Sequence, residues 1–283
     1  MKPTVESIVA GAGELSALPD SWQRIDAVLA VATASNQQIA DAIATDPGLT
    51  ARLLRLANSP LFGFAQTVDR LSQAVHLVGT RQLRELALAT TVIDMLSVGS
   101  GRRDRLDAFL RRSTATGLCA RGIAGRRREG NIERFLVLGL LHDIGSFILE
   151  MADPVLAGES QSEALSRGAP IELVEQERLG FDHAAVGSAL LSRWRLPAAL
   201  ADPVAHHHQP MFAVNGRMEA AVVHVAMVAI ALTGVAGESG PVTPMSIPAW
   251  EQLGIDQPGL VSICREVQAS QQATHEILAG HAA

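Results

Sequence analysis

The sequence predicts an all-α protein, and three observations carry that expectation. Apolar residues recur at helical spacing through most of the chain, while glycine and proline gather between those segments. Alternating runs of β-branched residues are scarce. Tyrosine is absent and aromatic residues make up 4 % of the chain, which does not suit a sandwich or barrel.

The first periodic segment covers 22–34, where Trp22, Ile25, Val28, Leu29 and Ala32 share a face and Asp20 or Ser21 supplies the cap. Residues 36–44 follow with Ile39, Ala40 and Ile43. Asp46-Pro47 reads as a cap with proline at the first helical position. It opens a helix through Leu49, Leu53, Leu54 and Leu56 that stops at Asn58-Ser59-Pro60. A loop with Phe62 and Phe64 leads to a helix over 71–77, and Gly79-Thr80 to a longer one with Leu83, Leu86, Ala87, Thr90 and Ile93 on one face. A glycine-rich, charged break at 99–104 divides the chain into an N-terminal helical bundle, 1–100, and a second bundle with a C-terminal helix, 101–283. In the second part helices are expected over 106–123, 135–150, 159–167, 171–179, 183–194, 198–208, 219–232 and 257–279, with a loop at 234–248. The segment 219–232 is apolar nearly all round and belongs in the centre.

With 283 residues, 48 % apolar and 18 % charged, the chain can bury a full core and is too apolar to be intrinsically disordered. Two cysteines, Cys119 and Cys264, exclude a disulfide framework and a cysteine-rich zinc module, and Cys119 reads as a buried inert thiol. The apolar stretch 220–232 is too short to span a bilayer, and the first residues lack a charged start followed by an apolar block. A cytoplasmic protein without membrane contact is therefore expected.

The net charge of −6 argues against general affinity for nucleic acid. Residues 102–134 run against that balance, with ten arginines and four acidic residues. This excess reads either as arginine-rich coding or as a patch for an anionic partner, with Arg102, Arg103, Arg112, Arg126, Arg127 and Arg128 as contacts. Only Phe109 and Phe135 lie nearby for base stacking, so nucleic acid is the weaker choice of partner.

Histidines carry the strongest chemical signal. His142-Asp143 lies inside the apolar run Leu138-Gly139-Leu140-Leu141-His142-Asp143-Ile144-Gly145. On a continuous helix adjacent side chains lie about 100° apart, so both can face one centre. A carboxylate buried there needs an ion pair, hydrogen bonds or a bound cation. Imidazole next to carboxylate is the ligand pattern of a metal-dependent phosphohydrolase, and equally that of an Asp bonded to its neighbour. His183 follows in Phe181-Asp182-His183, and His206-His207-His208 comes later; spacing does not choose between a metal site and a solvated loop.

These motifs resemble the HDOD domain, a relative of the HD phosphohydrolases found in bacterial signalling proteins. The resemblance spans about 18–232. Its most specific part is Ile43 to Pro60, read as Ile43-Ala44-Thr45-Asp46-Pro47-Gly48-Leu49-Thr50-Ala51-Arg52-Leu53-Leu54-Arg55-Leu56-Ala57-Asn58-Ser59-Pro60. Ala74-Val75-His76-Leu77-Val78-Gly79, Gly139-Leu140-Leu141-His142-Asp143-Ile144-Gly145, Trp194-Arg195-Leu196-Pro197 and His207-His208-Gln209-Pro210 extend it. The resemblance implies an N-terminal helical bundle packed on an HD-type bundle. It also implies candidate metal ligands at His142, Asp143, His183 and His207, with His208 as the alternate.

Two ligand positions and one neighbouring position depart from the enzymes' pattern. Arg112 stands where the HD enzymes have an upstream histidine, and Met227 where they have a late aspartate; Ser146 stands where many have a lysine. A guanidinium keeps its proton and cannot ligate. Against a unit charge about 4 Å away, at an effective dielectric of about 20, it is repelled by about 4 kcal/mol, and a divalent ion doubles that. The expectation is an Arg112–Asp143 ion pair in place of the metal, with no required cofactor; a vestigial divalent ion on the four remaining ligands is the alternative. The function expected is a non-enzymatic regulatory module, a stand-alone output or adaptor protein that contacts a signalling protein, with a nucleotide or cyclic dinucleotide as a candidate ligand and a homodimer in keeping. The rival is a metal phosphohydrolase acting on nucleotides.

Overall fold

The computed structural model describes residues 3–97, 103–237 and 240–280. Among these residues the chain is helical and contains no strand. The N-terminal part comprises α1 (Val5–Gly11), α2 (Asp20–Leu29), α3 (Asn36–Ala44), α4 (Pro47–Ala57), α5 (Leu71–Val78) and α6 (Thr80–Ser97). The rest comprises α7 (Arg103–Arg126), α8 (Ile132–Leu141), α9 (Ile144–Ala152), α10 (Pro154–Arg167), α11 (Ile171–Leu179), α12 (His183–Arg193), α13 (Ala198–Ala205), α14 (Arg217–Thr233), α15 (Ile247–Leu253) and α16 (Gln257–Leu278).

Local signals set most helix starts. Asp46 caps α4 through the Leu49 amide with Pro47 in the first turn, and Ser35 and Gln38 form a capping box on α3. The segment expected at 22–34 ends at Leu29, because Ser35 already caps the next helix. Helices α1 and α15 escape the periodicity reading: each has only seven residues, but Thr4 and Ser246 cap them. The break expected at 99–104 falls mostly outside the described residues.

Residues 1–100 were expected to form one bundle. Helices α2 to α6 do pack on one another, whereas α1 lies against α9 and α12 of the second part. The Trp194 indole reinforces this crossing by donating to the Leu15 carbonyl at 2.8 Å. In the second part α7 runs through the middle, against α8, α14 and α16.

Two glycine crossings bring the site together. A Cβ on Gly139 of α8 would lie 2.4 Å from the Gly117 Cα of α7, so only two glycines permit this approach. A Cβ on Gly145 of α9 would lie 1.9 Å from the His183 carbonyl oxygen at the start of α12. The span Ile132–Ala152 is apolar enough to cross a membrane by length and composition alone, yet 72 % of its most apolar 18-residue window is buried in the fold.

The single helix expected over 135–150 is two. His142 ends α8 and Asp143 precedes α9, with φ −102° and ψ 16° at Asp143. The His142 ring takes the Gly139 carbonyl at 2.7 Å, an acceptor that a continuing helix would give to the amide of residue 143. Likewise, the helix expected over 198–208 ends at Ala205, leaving His206, His207 and His208 in a turn.

Candidate functional site

Five segments converge on a cavity of about 680 Å³. Helix α7 contributes Arg112, the α8–α9 junction His142 and Asp143, and α12 its first residue, His183. The turn after α13 supplies His207 and His208, and α14 supplies Met227. The candidate ligands His142, Asp143, His183, His207 and His208 therefore lie in one place. His206 does not join them; its ring turns back to Asp202, 2.8 Å away.

Asp143 is held from several sides. Arg112 Nη2 donates to its Oδ2 at 2.9 Å, forming the ion pair expected from the sequence. The Ser146 hydroxyl donates to Oδ1, and His183 Nε2 lies 3.5 Å from the same oxygen. On its other side, the His183 ring donates from Nδ1 to Glu175 Oε2 at 2.6 Å, and the His183 backbone amide donates to that oxygen at 2.9 Å. Arg112, Asp143, His183 and Glu175 thus form a row of alternating charge that crosses four segments.

A second row continues from His183. Its Nε2 lies 2.8 Å from His208 Nε2, so a single proton sits between two imidazoles. His208 Nδ1 lies 3.3 Å from the Thr243 hydroxyl, which donates to Glu172 Oε1 at 2.9 Å. His207 donates from Nδ1 to the Val204 carbonyl at 2.7 Å, which leaves its Nε2 buried and without a partner among the described residues.

The charges follow from this geometry. Burial alone would raise the Asp143 pKa, but Arg112, then His183 and His142, outweigh it and hold the carboxyl well below its usual range. Burial alone would lower the His183 pKa; the Glu175 carboxylate and then Asp143 overcome it and push it up to about 10. His183 is therefore a cation at neutral pH. Burial, followed by repulsion from the other imidazoles, puts His207 and His208 well below the usual value, so both are neutral.

This arrangement does not fit the HD metal centre. The donor nitrogens of His183, His207 and His208 lie within 4.8 Å of one another, close enough to suggest an ion. Yet the His183–His208 contact of 2.8 Å is a hydrogen bond. Two nitrogens on a tetrahedral ion, each at about 2.0–2.1 Å from it, stand about 3.4 Å apart. The nitrogen of His183 that faces its neighbour carries a proton, and the carboxylate that would complete the ligand set already accepts from Arg112 and Ser146. Met227 borders the cavity and brings only a thioether. Arg112 and the shared proton together carry two positive charges.

The arginines expected to form one patch do not. Arg102 lies outside the described residues, and Arg103 opens α7. Its 24 residues, at about 1.5 Å each, separate that end from Arg126 by about 36 Å. Arg126 turns to Ser262 and Glu266 on α16, and Arg127 to Glu129 and the carbonyls of Gln252 and Leu253. Arg128 follows α7 with a left-handed φ of 59°.

Sequence reading missed Glu172, Glu175 and Thr243. In α11 the usual pattern is inverted: Glu172 and Glu175 are buried while Leu173 is 47 % exposed. Their spacing of three places both carboxylates on one helical face, the one usable signal.

A family model for the HDOD domain matches residues 15–210. The chain belongs to the HDOD family. An uncharacterised protein of Treponema pallidum (strain Nichols) is 27 % identical over 208 residues, 71 % of this chain; the chain spans 39 % of that relative's length. An HDOD domain protein of unknown function from Geobacter sulfurreducens superposes with a TM-score of 0.71 at 25 % identity, over 97 % of this chain and 98 % of its own. A protein of Shewanella amazonensis SB2B, named as a candidate phosphohydrolase, gives 0.72 at 23 % identity over the same shares of the two chains. The latter likeness is one of fold. Helices α14, α15 and α16 follow the residues matched by the HDOD model; α14 and α16 pack on α7, and α15 packs on α14.

Proposed function

We propose that this HDOD domain is a non-enzymatic signalling module whose ancestral metal pocket is held shut by fixed charge. The observation that carries this reading is the contact of Arg112 with Asp143 at 2.9 Å, joined by the proton between His183 and His208. Metal-assisted hydrolysis needs an open coordination position and a water made acidic by the ion. Here the carboxylate is occupied by a guanidinium that keeps its proton at any physiological pH.

In this reading the pocket is structural. Its charge rows tie α7, the α8–α9 junction, α11, α12 and the 206–208 turn together, and the module acts through contacts with a signalling protein. Purified protein assayed with phosphodiesters and nucleotides, with manganese, zinc or iron added, is expected to show no turnover above that of an Asp143→Ala variant. Turnover that requires Asp143 would replace the adaptor with an enzyme.

One observation favours the rival. The unpartnered His207 Nε2 and the neighbouring imidazoles are a donor set that a borderline metal suits. Removing the competing cation should therefore restore metal binding, and Arg112→His is expected to take up zinc or iron where the native chain does not.

A further inference from the structure

We propose that residues 240–246 form a lid over the pocket, latched shut by Thr243 and His224. This segment has no regular secondary structure, and Gly240, Pro241, Val242 and Thr243 make up one wall of the cavity. Both of its attachments lead to the turn that carries the pocket histidines. At one, the Thr243 hydroxyl donates to Glu172 Oε1 at 2.9 Å and stands 3.3 Å from His208 Nδ1. At the other, the Ser246 amide donates to His224 Nε2 at 2.9 Å, and His224 donates from Nδ1 to the His207 carbonyl at 2.8 Å.

The segment is suited to move as a piece. Pro241 and Pro244 fix their own φ, Pro244 stiffening the strap between the two latches and Pro241 the stretch that leads into the first. Thr243, Met245 and Ser246 are half-buried, while Pro244 is exposed. Pro241 and Val242 are half-buried too and Met245 packs against the core, but no side chain of the strap is fully buried.

What the lid covers is an unused acceptor. His207 lines the cavity and gives its Nδ1 to the Val204 carbonyl, which leaves Nε2 buried with no partner among the described residues. An incoming molecule with an N–H or O–H at its leading end would satisfy that atom, inside a cavity of which the strap is one wall. The lid does not depend on whether the pocket holds an ion, since both latches are hydrogen bonds between protein groups.

The test combines amide hydrogen exchange with labelling of the full chain by diethyl pyrocarbonate, which acylates neutral imidazole. Thr243→Val removes the latch hydroxyl and keeps the shape. Strap amides should then exchange about three- to tenfold faster, the range a single hydrogen bond supplies, and His207 should be labelled faster by a similar factor. Exchange in α7 and α8 should stay at the native rate. Thr243→Ser, which keeps the hydroxyl, should behave as the native chain. Pro241→Gly loosens the strap without touching either latch and should speed both readouts. Native rates of strap exchange, or native labelling of His207, in both Thr243→Val and Pro241→Gly would overturn the proposal.

Discussion

Asp143 is a carboxylate that would be costly to bury alone, and two donors and a neighbouring cation make its burial tolerable. Arg112 and Ser146 donate to it, His183 lies 3.5 Å away, and Glu175 balances that second cation. Removing one member of such a row leaves its neighbours buried and uncompensated. Asp143→Ala would leave Arg112 and charged His183 facing each other, and a loss of about 3–5 kcal/mol is expected in chemical denaturation. Replacing the row by apolar residues of equal volume would cost far less, because the native pair carries its own desolvation penalty. Short motifs led to His142, Asp143, His183, His207 and His208, and the resemblance to the HD enzymes led to Arg112. Glu172, Glu175 and Thr243 stood in none. A helix that exposes Leu173 and buries two glutamates contradicts the periodicity by which buried faces are read.

Helices meet at this site by backbone contact. Gly139 against Gly117 sets the distance between α7 and α8, and so between Arg112 and Asp143. Gly145 against the His183 carbonyl sets α9 on α12. A methyl group at either place meets backbone atoms that cannot rotate away. Gly145→Ala is expected to lower stability by about 1–3 kcal/mol or more, the usual range for overpacking. It should also separate His183 from Asp143, visible as a drop in the His183 pKa by NMR. A Gly145→Ala variant with native stability and an unchanged His183 titration would refute this account of the crossing. Capping residues made α3 and α4 legible almost to the residue. The break at His142-Asp143 was not legible, because the ring that ends α8 does so by taking the Gly139 carbonyl, a tertiary choice rather than a propensity.

At the scale of the whole molecule the buried histidines impose a pH profile. His183 is raised to about 10 from an ordinary 6.5, so its contribution is complete below pH 6.5 and is lost as pH rises through 10. His207 and His208 are shifted the other way. Their unfolded forms take up protons below about pH 6.5 while the folded ones resist, so stability also falls on the acid side, joined at lower pH by the protonation of Asp143. Denaturation midpoints measured across pH should therefore peak near 6.5. Glu175→Gln should flatten the alkaline limb, because it removes the carboxylate that holds the proton on His183. A native profile flat from pH 6.5 to 10 would count against a cationic His183. The all-α class was readable from spacing and punctuation and the pairing of two bundles came from the family resemblance, whereas the packing of α1 across to α9 and α12 depends on long-range contacts that no local pattern records.

The replacement of a divalent ion by Arg112 and a shared proton is tested most directly by metal analysis of the purified protein, native and Arg112→His, after exposure to zinc and iron followed by desalting. The native chain should retain no stoichiometric transition metal, and Arg112→His should retain about one ion per chain. One tightly held ion in the native protein, lost on Asp143→Ala, would contradict it.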